Sequence, residues 1–128
     1  MAMRKFVADE DFIAAPVKSP VSYDVVEQLD IRVGRIISVE DVPTSKKLLR
    51  LRVGFGDHER TVISGMKGER DNHDEIVGEQ ALFVVNLEPR VMAGERSEAM
   101  ILDIGYADGL LPALAQPERS LPDGARAG

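Results

Sequence analysis

Residues 49–55 carry the signal that most constrains the fold, because apolar and polar side chains alternate along them without a break. The apolar members of this alternation are Leu49, Leu51, Val53 and Phe55. Arg50 and Arg52 fall on the opposite face, so the segment predicts a β-strand with one buried side. A turn at residues 56–59 and a β-type segment at residues 60–64 follow, and together they predict a hairpin.

Four further segments extend this β-type pattern along the chain. Residues 31–39 are rich in β-branched side chains, and Gly34 among them predicts a bulge or a sharp bend. Residues 80–87 are too apolar to alternate and should be buried on both faces. Residues 97–104 predict another strand, and residues 110–114 could return beside it after a turn.

One short helix is predicted between the third and fourth strands, over residues 71–77. Asp71 or Asn72 would cap it, and Gly78 would end it. Three strands, a short helix and further strands are the order of elements in a small antiparallel barrel. We therefore predict an all-β chain that forms a five-stranded OB-fold barrel.

The chain divides into three predicted parts. Residues 1–21 contain Pro16 and Pro20 and no periodic pattern, which indicates an N-terminal arm that is partly mobile or lies at a dimer interface. Residues 22–124 form the barrel domain, which opens with a short helix capped by Ser22 or Asp24. Residues 125–128 are expected to form a frayed tail.

Composition excludes several classes of protein. The 128 residues include no cysteine, which removes disulfide frameworks, thiolate metal sites and cysteine nucleophiles. No apolar run reaches the 18 residues of a membrane span, and the N-terminus lacks the apolar segment of a secretory signal. We expect a soluble, cytoplasmic protein with no membrane partner. The formal net charge of −6 at first argues against a nucleic-acid partner.

The sequence offers little that could support catalysis. His58 falls in the predicted hairpin turn and His73 at the start of the short helix, so both are expected to face solvent. Ser64 lacks the glycine spacing of a nucleophile elbow. The acids Asp71 and Asp74 suit the first turn of a helix better than a calcium loop. We predict that the chain is not an enzyme and uses no metal and no cofactor.

Six short motifs, in the right order and spacing, resemble those of the tRNA-binding domain family. The first is Asp30-Ile31-Arg32-Val33-Gly34-Arg35-Ile36, which is similar to the family's D-I-R-V-G-x-I opening. The others are Pro43-Thr44-Ser45-Lys46-Lys47-Leu48, Arg60-Thr61-Val62-Ile63-Ser64-Gly65, Asn86-Leu87-Glu88-Pro89-Arg90, Gly94-Glu95-Arg96-Ser97-Glu98-Ala99-Met100 and Pro122-Asp123-Gly124. Two positions depart from the family pattern: Lys46 replaces an Asp, and Ala99 replaces a Gly.

This resemblance implies a non-catalytic protein that recognises the architecture of folded tRNA. The family includes free-standing bacterial tRNA-binding proteins, CsaA chaperones linked to secretion, and C-terminal domains of methionyl-tRNA synthetases. Its free-standing members are two-fold dimers, so the resemblance also implies a homodimer. A CsaA-like chaperone for unfolded or export-bound polypeptides is the alternative, favoured by the apolar residues 91–93 of a predicted loop. A subunit that escorts another protein, such as an aminoacyl-tRNA synthetase, is a third hypothesis.

The positive side chains are concentrated in one segment, so the acidic net charge of the whole chain does not exclude a nucleic-acid partner. Residues 31–60 hold seven basic and four acidic side chains, so this segment alone has a net charge of +3. OB-folds bind nucleic acids on the face of strands 2 and 3 and on neighbouring loops. We therefore predict phosphate contacts from the second strand and the loop before it: Lys46, Lys47, Arg50 and Arg52. The competing interpretation is an ordinary solvated strand face.

Four residues later in the chain complete the predicted RNA-binding site. By resemblance, Ser97 and Met100 lie on the RNA-facing surface, although Met100 could equally belong to the core. Asn86 could contact RNA or hold the turn around Pro89, and the structural role is favoured. Arg90 is the better phosphate ligand. Because aromatic residues are scarce, we expect recognition of RNA shape and backbone rather than stacking on successive bases.

Overall fold

The computed structural model describes residues 5–128, and one long strand organises it. Strand β1 (Ile31–Asp41) pairs antiparallel with β2 (Leu49–Gly54) through residues 35–41 and with β4 (Gln80–Val84) through residues 31–35. Strand β3 (Glu59–Ser64) continues the sheet beyond β2. Because β1 has partners on both edges, it joins the two halves of the barrel.

The barrel is nearly closed by the chain that follows β4. Strands β5 (Arg90–Met92) and β6 (Glu95–Ser97) form a hairpin, and β7 (Met100–Ile101) pairs with β4. The amide of Glu98 donates to the carbonyl of Thr61 on β3 over 2.9 Å. The strand order β3-β2-β1-β4-β7 is that of the predicted five-stranded, OB-type barrel, and this prediction is confirmed.

Short elements surround the barrel. They are α1 (Tyr23–Glu27), 3₁₀ helices at Asp9–Asp11, His73–Ile76 and Tyr106–Asp108, the pair β8 (Asp103–Ile104) and β9 (Ala113–Leu114), and β10 (Arg126–Ala127). The helix predicted between β3 and β4 is the 3₁₀ turn His73–Ile76. The side chain of Asn72 caps it by accepting from the amide of Asp74, and Gly78 follows with a φ of +87°.

The alternation in β2 is realised as predicted. Leu49, Leu51 and Val53 are buried, and the core that they enter includes Ile36 and Phe83. Phe55 meets Phe83 edge to face, with ring centroids 5.5 Å apart. The core is therefore closed by aromatic side chains from two elements that the sequence marks as apolar.

The bulge predicted at Gly34 occurs elsewhere. Gly34 pairs regularly with Ala81, and the register shift lies between Ile36 and Ser38. Gly34 instead allows a close approach, because a Cβ there would lie 2.6 Å from Val53 Cγ1 and 2.9 Å from Phe83 Cδ1. The glycine is required by packing inside the barrel.

Two other expectations about strands need correction. The single strand expected over residues 97–104 is divided into the end of β6, β7 and β8, and the β5–β6 hairpin was not predicted. The expected frayed tail does not fit Arg126–Ala127, which pairs with Ile31 and Arg32 of β1 as β10. It occupies the start of β1, beyond the reach of β2, where β1 would otherwise have an unpaired edge.

The predicted N-terminal arm is mostly exposed where the structure describes it. Its first four residues lie outside the described part of the chain. Val7 bridges to Leu110, and its amide donates to the carbonyl of Gly109 over 2.8 Å. Beyond that contact, Ile13 and Val17 are almost completely exposed. Across residues 5–128, no helix is long and apolar enough to cross a membrane.

Replacing Gly34 with alanine should destabilise the barrel by about 1–3 kcal/mol, because the new methyl group would overpack the core. Chemical denaturation of both proteins measures this difference. Gly54→Ala is the matched control in a strand, because the new Cβ would lie 3.2 Å from the flexible end of the Ile37 side chain. This substitution should lower the free energy of unfolding by less than about 1 kcal/mol. Equal stability of Gly34→Ala and the wild type would contradict this account of the core.

Candidate nucleic-acid interface

Two lysines stand on the loop that connects β1 to β2. The side chain of Ser45 shapes this loop, because its Oγ accepts hydrogen bonds from the amides of both Lys47 and Leu48 at 3.1 Å. Lys46 and Lys47 are exposed. Neither ammonium group forms an ion pair with any residue in the described part of the chain. Both charges are therefore available to a phosphate group.

A third free cation is carried by the β5–β6 hairpin. Its turn consists of Ala93 and Gly94, with φ angles of 49° and 77°, as a tight two-residue hairpin requires. Arg90 on β5 and Arg96 on β6 are exposed. Arg90 is paired with Ser97 across the hairpin and Arg96 with Val91. Sequence reasoning missed Arg96, since only the hairpin register reveals that it projects to solvent.

A small hollow of about 90 Å³ lies beside this hairpin. Its lining comes from β3, the segment after β4, the hairpin and β7: Ile63, Ser64, Leu87, Glu88, Arg90, Met92, Ser97, Ala99, Met100 and Ile101. Three of the predicted RNA-binding residues, Arg90, Ser97 and Met100, are thus brought together. The floor is apolar, and polar groups of Ser64, Glu88 and Arg90 are among the lining.

The loop and the hollow are close neighbours. Ser64, which lines the hollow, is the direct partner of Leu49 in the β2–β3 ladder. Lys47 precedes Leu49 by two residues, so strand spacing places its backbone roughly 8 Å from Ser64. We call the surface formed by Lys46, Lys47, Arg90 and Met100 the loop–hairpin surface.

The predicted face of Arg50 and Arg52 is charge-compensated, which differs from the expectation of a free basic strand. Arg50 is bound by Glu40 at 3.3 Å and by a short contact with Glu95. The hydrogen bond with Glu95 is the main cause that raises the pKa of Arg50. Arg52 is bound by Glu59 at 3.0 Å. A phosphate would have to displace these carboxylates before it could bind either arginine.

The other arginines of residues 31–60 are also engaged. Arg32 pairs with Asp30 at 2.9 Å, and this hydrogen bond lowers the pKa of the Asp30 carboxyl. Arg35 contacts Asp123 at 3.3 Å. Arg60 donates to the backbone carbonyl of Val85 at 2.6 Å. Of the seven cations counted in this segment, Lys46 and Lys47 are the two without such a partner among residues 5–128.

Ser97 has a structural role and does not face solvent. Its side chain is buried, and its Oγ accepts from the amide of Ile63 while donating to the carbonyl of Ala99, both at 3.0 Å. Asn86 also has the structural role that was favoured. Its Oδ1 accepts from the amide of Asp30 at 2.8 Å, and its Nδ2 donates to the carbonyl of Gln28 at 2.7 Å.

Met100 is a surface residue, so the interpretation that it belongs to the core is wrong. Its side chain is 46% exposed, whereas its neighbour Ile101 on β7 is buried. The alternation of the two-residue strand separates them. A flexible thioether at the edge of an apolar hollow can pack against a base or a ribose.

The two histidines have separate sets of partners. His58 Nδ1 lies 2.6 Å from Asp57, and Arg60 Nε donates to His58 Nε2 over 3.1 Å. The hydrogen bond with His58 lowers the pKa of the Asp57 carboxyl. His73 is half-buried, contrary to the expectation of full exposure, with Nε2 3.0 Å from the carbonyl of Lys67. No cluster of three potential metal ligands occurs among residues 5–128.

A small OB-type barrel with unpaired cations on neighbouring loops is typical of nucleic-acid-binding modules. Comparison with known families specifies the class further. The family model described as "Putative tRNA binding domain" matches residues 31–126. The chain belongs to this tRNA-binding domain family, and the resemblance in the six motifs is confirmed.

The related proteins agree with this membership. The chain is 36% identical over 121 residues to a methionine–tRNA ligase of Parabacteroides distasonis and 33% identical over 130 residues to that of Methanococcus maripaludis. These alignments cover 94% and 98% of the chain. They cover only 18% and 19% of the ligases, so the chain spans less than a fifth of these curated relatives.

Two solved structures share the fold along their whole length. A protein related to methionyl-tRNA synthetase from Pyrococcus horikoshii matches with a TM-score of 0.79 and 30% identity, covering 87% of this chain and 100% of its own. The chaperone CsaA of Bacillus anthracis matches with a TM-score of 0.75 and 27% identity, covering 86% and 100%.

Ser97→Ala should destabilise the protein by about 1–3 kcal/mol, because it leaves the buried amide of Ile63 without an acceptor. Denaturation measures the loss, with the exposed Ser120→Ala as a control that should stay within about 0.5 kcal/mol. The affinity of the folded variant for tRNA should change by less than about two-fold, since Ser97 is inaccessible. A large loss of tRNA binding with unchanged stability would restore Ser97 to the interface.

Proposed function

We propose that the chain is a non-catalytic protein that binds folded tRNA through the loop–hairpin surface. The observation that carries this proposal is that unpaired Arg90 lines an apolar hollow while the loop with unpaired Lys46 and Lys47 leads into the strand paired with Ser64 of that hollow, in a chain of the tRNA-binding domain family. Unpaired cations on a rigid scaffold attract phosphates and release their counterions. One carboxylate, that of Glu88, also lines the hollow, and Glu95 on the hairpin is bound by Arg50.

The contacts divide into two kinds. The ammonium groups of Lys46 and Lys47 and the guanidinium of Arg90 bind phosphate groups, which supply affinity without reading sequence. Met100 and the hollow receive an unstacked ribose or base at one point of the tRNA surface. No row of exposed aromatic residues follows this surface among residues 5–128, so recognition depends on the shape of the folded RNA.

Arg50 and Arg52 have a different part in this proposal. The Arg50–Glu95 ion pair ties the β5–β6 hairpin to β2, and thereby fixes Arg90 relative to the lysine loop. Arg52 is occupied by Glu59 and Thr61. Both arginines support the geometry of the interface, while the lysines and Arg90 contact the RNA.

A tRNA partner places the protein in the cytoplasm, where tRNA is used. The similarity to methionine–tRNA ligases suggests a second partner, an aminoacyl-tRNA synthetase. In association with such a synthetase, the protein would bind the tRNA on which that enzyme acts. Purification of the tagged protein with and without ribonuclease separates direct synthetase binding from co-purification through tRNA.

We further propose that the chain acts as a homodimer. Apolar side chains that a monomer leaves exposed are concentrated in the arm and α1: Ile13, Val17, Val21, Tyr23, Val25, Val26 and Leu29. A single barrel offers few unpaired cations on the loop–hairpin surface. Two copies would double the contacts to one tRNA and raise the effective concentration of the second site.

A CsaA-like chaperone remains the second candidate, and one observation favours it. Val91 on the β5–β6 hairpin is 72% exposed, between Arg90 and Met92 of the apolar hollow in the sequence, and the CsaA structure shares the fold. An unfolded polypeptide could place an apolar side chain there. Suppression of client aggregation that competing tRNA does not diminish would favour the chaperone function over tRNA binding.

Lys46→Glu/Lys47→Glu should weaken binding of bulk tRNA by at least about ten-fold at low salt, because two phosphate contacts become repulsive. A mobility-shift series across salt concentrations should show the slope of log affinity against log salt reduced by about 1.8. Arg119→Glu, at an exposed site outside both the arm and the loop–hairpin surface, is the control for Lys46→Glu alone, which changes the net charge equally. If these two single variants lost the same affinity, net charge alone would explain the binding.

Sedimentation should show a dimer of the wild type at micromolar concentration and a monomer of Val26→Asp/Leu29→Asp. Two carboxylates placed in the apolar face would have to be desolvated in the interface. Ile104→Asp, at an apolar residue of β8 with 60% exposure, is the control and should leave the dimer intact. A wild type that sediments only as a monomer would exclude the proposed interface.

A further inference from the structure

A buried lysine lies directly under the loop that carries Lys46 and Lys47. Lys67 follows β3, and its side chain is only 6% exposed. A buried ammonium group is costly unless oxygens replace its water. The position of Lys67 therefore needs an explanation in terms of its partners.

Three oxygens of the β1–β2 loop and its approach surround the ammonium group of Lys67. Its Nζ donates to the carbonyl of Val42 at 3.0 Å and makes a short hydrogen bond with the carbonyl of Ser45. Its third partner is the carboxylate of Asp41 at 2.6 Å. An ammonium group has three protons, so its hydrogen-bonding capacity is filled by this one loop.

The backbone of Lys67 is attached to the same loop and to the 3₁₀ helix. Its amide donates to the carbonyl of Lys47 over 3.1 Å, and its carbonyl lies 3.0 Å from His73 Nε2. The loop has no strand partner of its own between Asp41 and Leu49. Lys67 donates to the loop carbonyl groups of residues 42, 45 and 47, of which that of residue 42 also accepts from the amide of Ser45.

We propose that Lys67 is a positioning residue for tRNA binding, which locks the β1–β2 loop so that Lys46 and Lys47 are held in place for phosphate. This inference rests on the proposed function of the loop–hairpin surface. Lys67 touches no RNA, because its ammonium group is enclosed by protein oxygens. It orders the β1–β2 loop before tRNA binds, so that binding costs less conformational entropy.

A purely structural role would give a different pattern of effects. If Lys67 only stabilised the fold, its loss would not alter the tRNA affinity of molecules that remain folded. If it positions the two lysines, its loss should matter only while those lysines are present. The combination of variants at the two sites therefore separates the two roles.

The experiment compares Lys67→Met in the wild type and in the Lys46→Glu/Lys47→Glu background, with bulk tRNA and folded protein. We expect an affinity loss of about ten-fold in the wild type and of less than two-fold in the double variant, a coupling typical of residues in one network. Lys67→Arg should restore part of the affinity, since it keeps the charge and several donors. Equal losses in both backgrounds, or no loss in either, would overturn the inference.

Hydrogen exchange of the amides of Lys47 and Leu48 gives a readout that needs no tRNA. Lys67→Met should accelerate exchange at these amides while amides of the β1–β4 ladder stay protected. Unchanged exchange rates of the Lys47 and Leu48 amides would contradict the proposal that Lys67 orders the loop. If the wild type bound no tRNA, the proposed function would fail, and with it the positioning role, while the exchange rates would still decide whether Lys67 orders the loop.

Ser45→Ala is a second variant that tests the positioning of the loop if Lys67→Met does not fold. It removes the Oγ that accepts from the amides of Lys47 and Leu48, and it leaves the ammonium group and its three partners in place. We expect it to weaken tRNA binding in the same direction as Lys67→Met and to lose this effect in the double variant. Arg119→Met, at an exposed arginine outside the arm and the loop–hairpin surface, is the control and should leave affinity and loop exchange unchanged.

Discussion

The close contact of β1 with the barrel interior at Gly34 is the constraint on which the rest of the structure depends. With no side chain there, Val53, Phe55 and Phe83 reach the backbone of β1 and fill the core. This contact lies where β1 passes from pairing with β4 to pairing with β2. The loop between β1 and β2 and the hairpin after β4 leave the barrel from strands that β1 holds together, so the geometry of the candidate interface is inherited from this packing.

An acidic chain can offer a specific basic surface because its arginines are neutralised in pairs. Arg32, Arg35, Arg50 and Arg52 each meet a carboxylate, and these exposed or half-buried pairs contribute little to stability. Their effect is to limit where a phosphate can bind without first displacing a carboxylate. Within residues 31–60, the cations that remain without a protein partner are thereby confined to the two loop lysines. A net charge of −6 then disfavours unspecific contact with RNA elsewhere on the protein.

The sequence predicts the barrel well because its strands are defined by local patterns. The alternation of residues 49–55 and the apolar run at residues 80–85 are both realised in the burial of the structure. The charge pattern is less informative, since Arg50 is neutralised by Glu95, which is 45 residues away in the chain. Ser97, which the resemblance places on the RNA-facing surface, is buried, while Met100 is exposed, for a similar reason. The β5–β6 hairpin and β7 decide which side chain turns inward, and two- and three-residue strands have no readable period.

The two candidate functions make competing use of one surface. The hollow beside the β5–β6 hairpin is apolar enough for a side chain of an unfolded polypeptide, while its edge carries Arg90 and lies near Lys46 and Lys47. A polypeptide would gain from the hollow and little from the lysines, whereas a tRNA gains chiefly from the cations. The salt dependence of binding therefore distinguishes the ligands more directly than affinity does. If both ligands occupy the hollow and contact Arg90, which lines it, each should weaken the binding of the other.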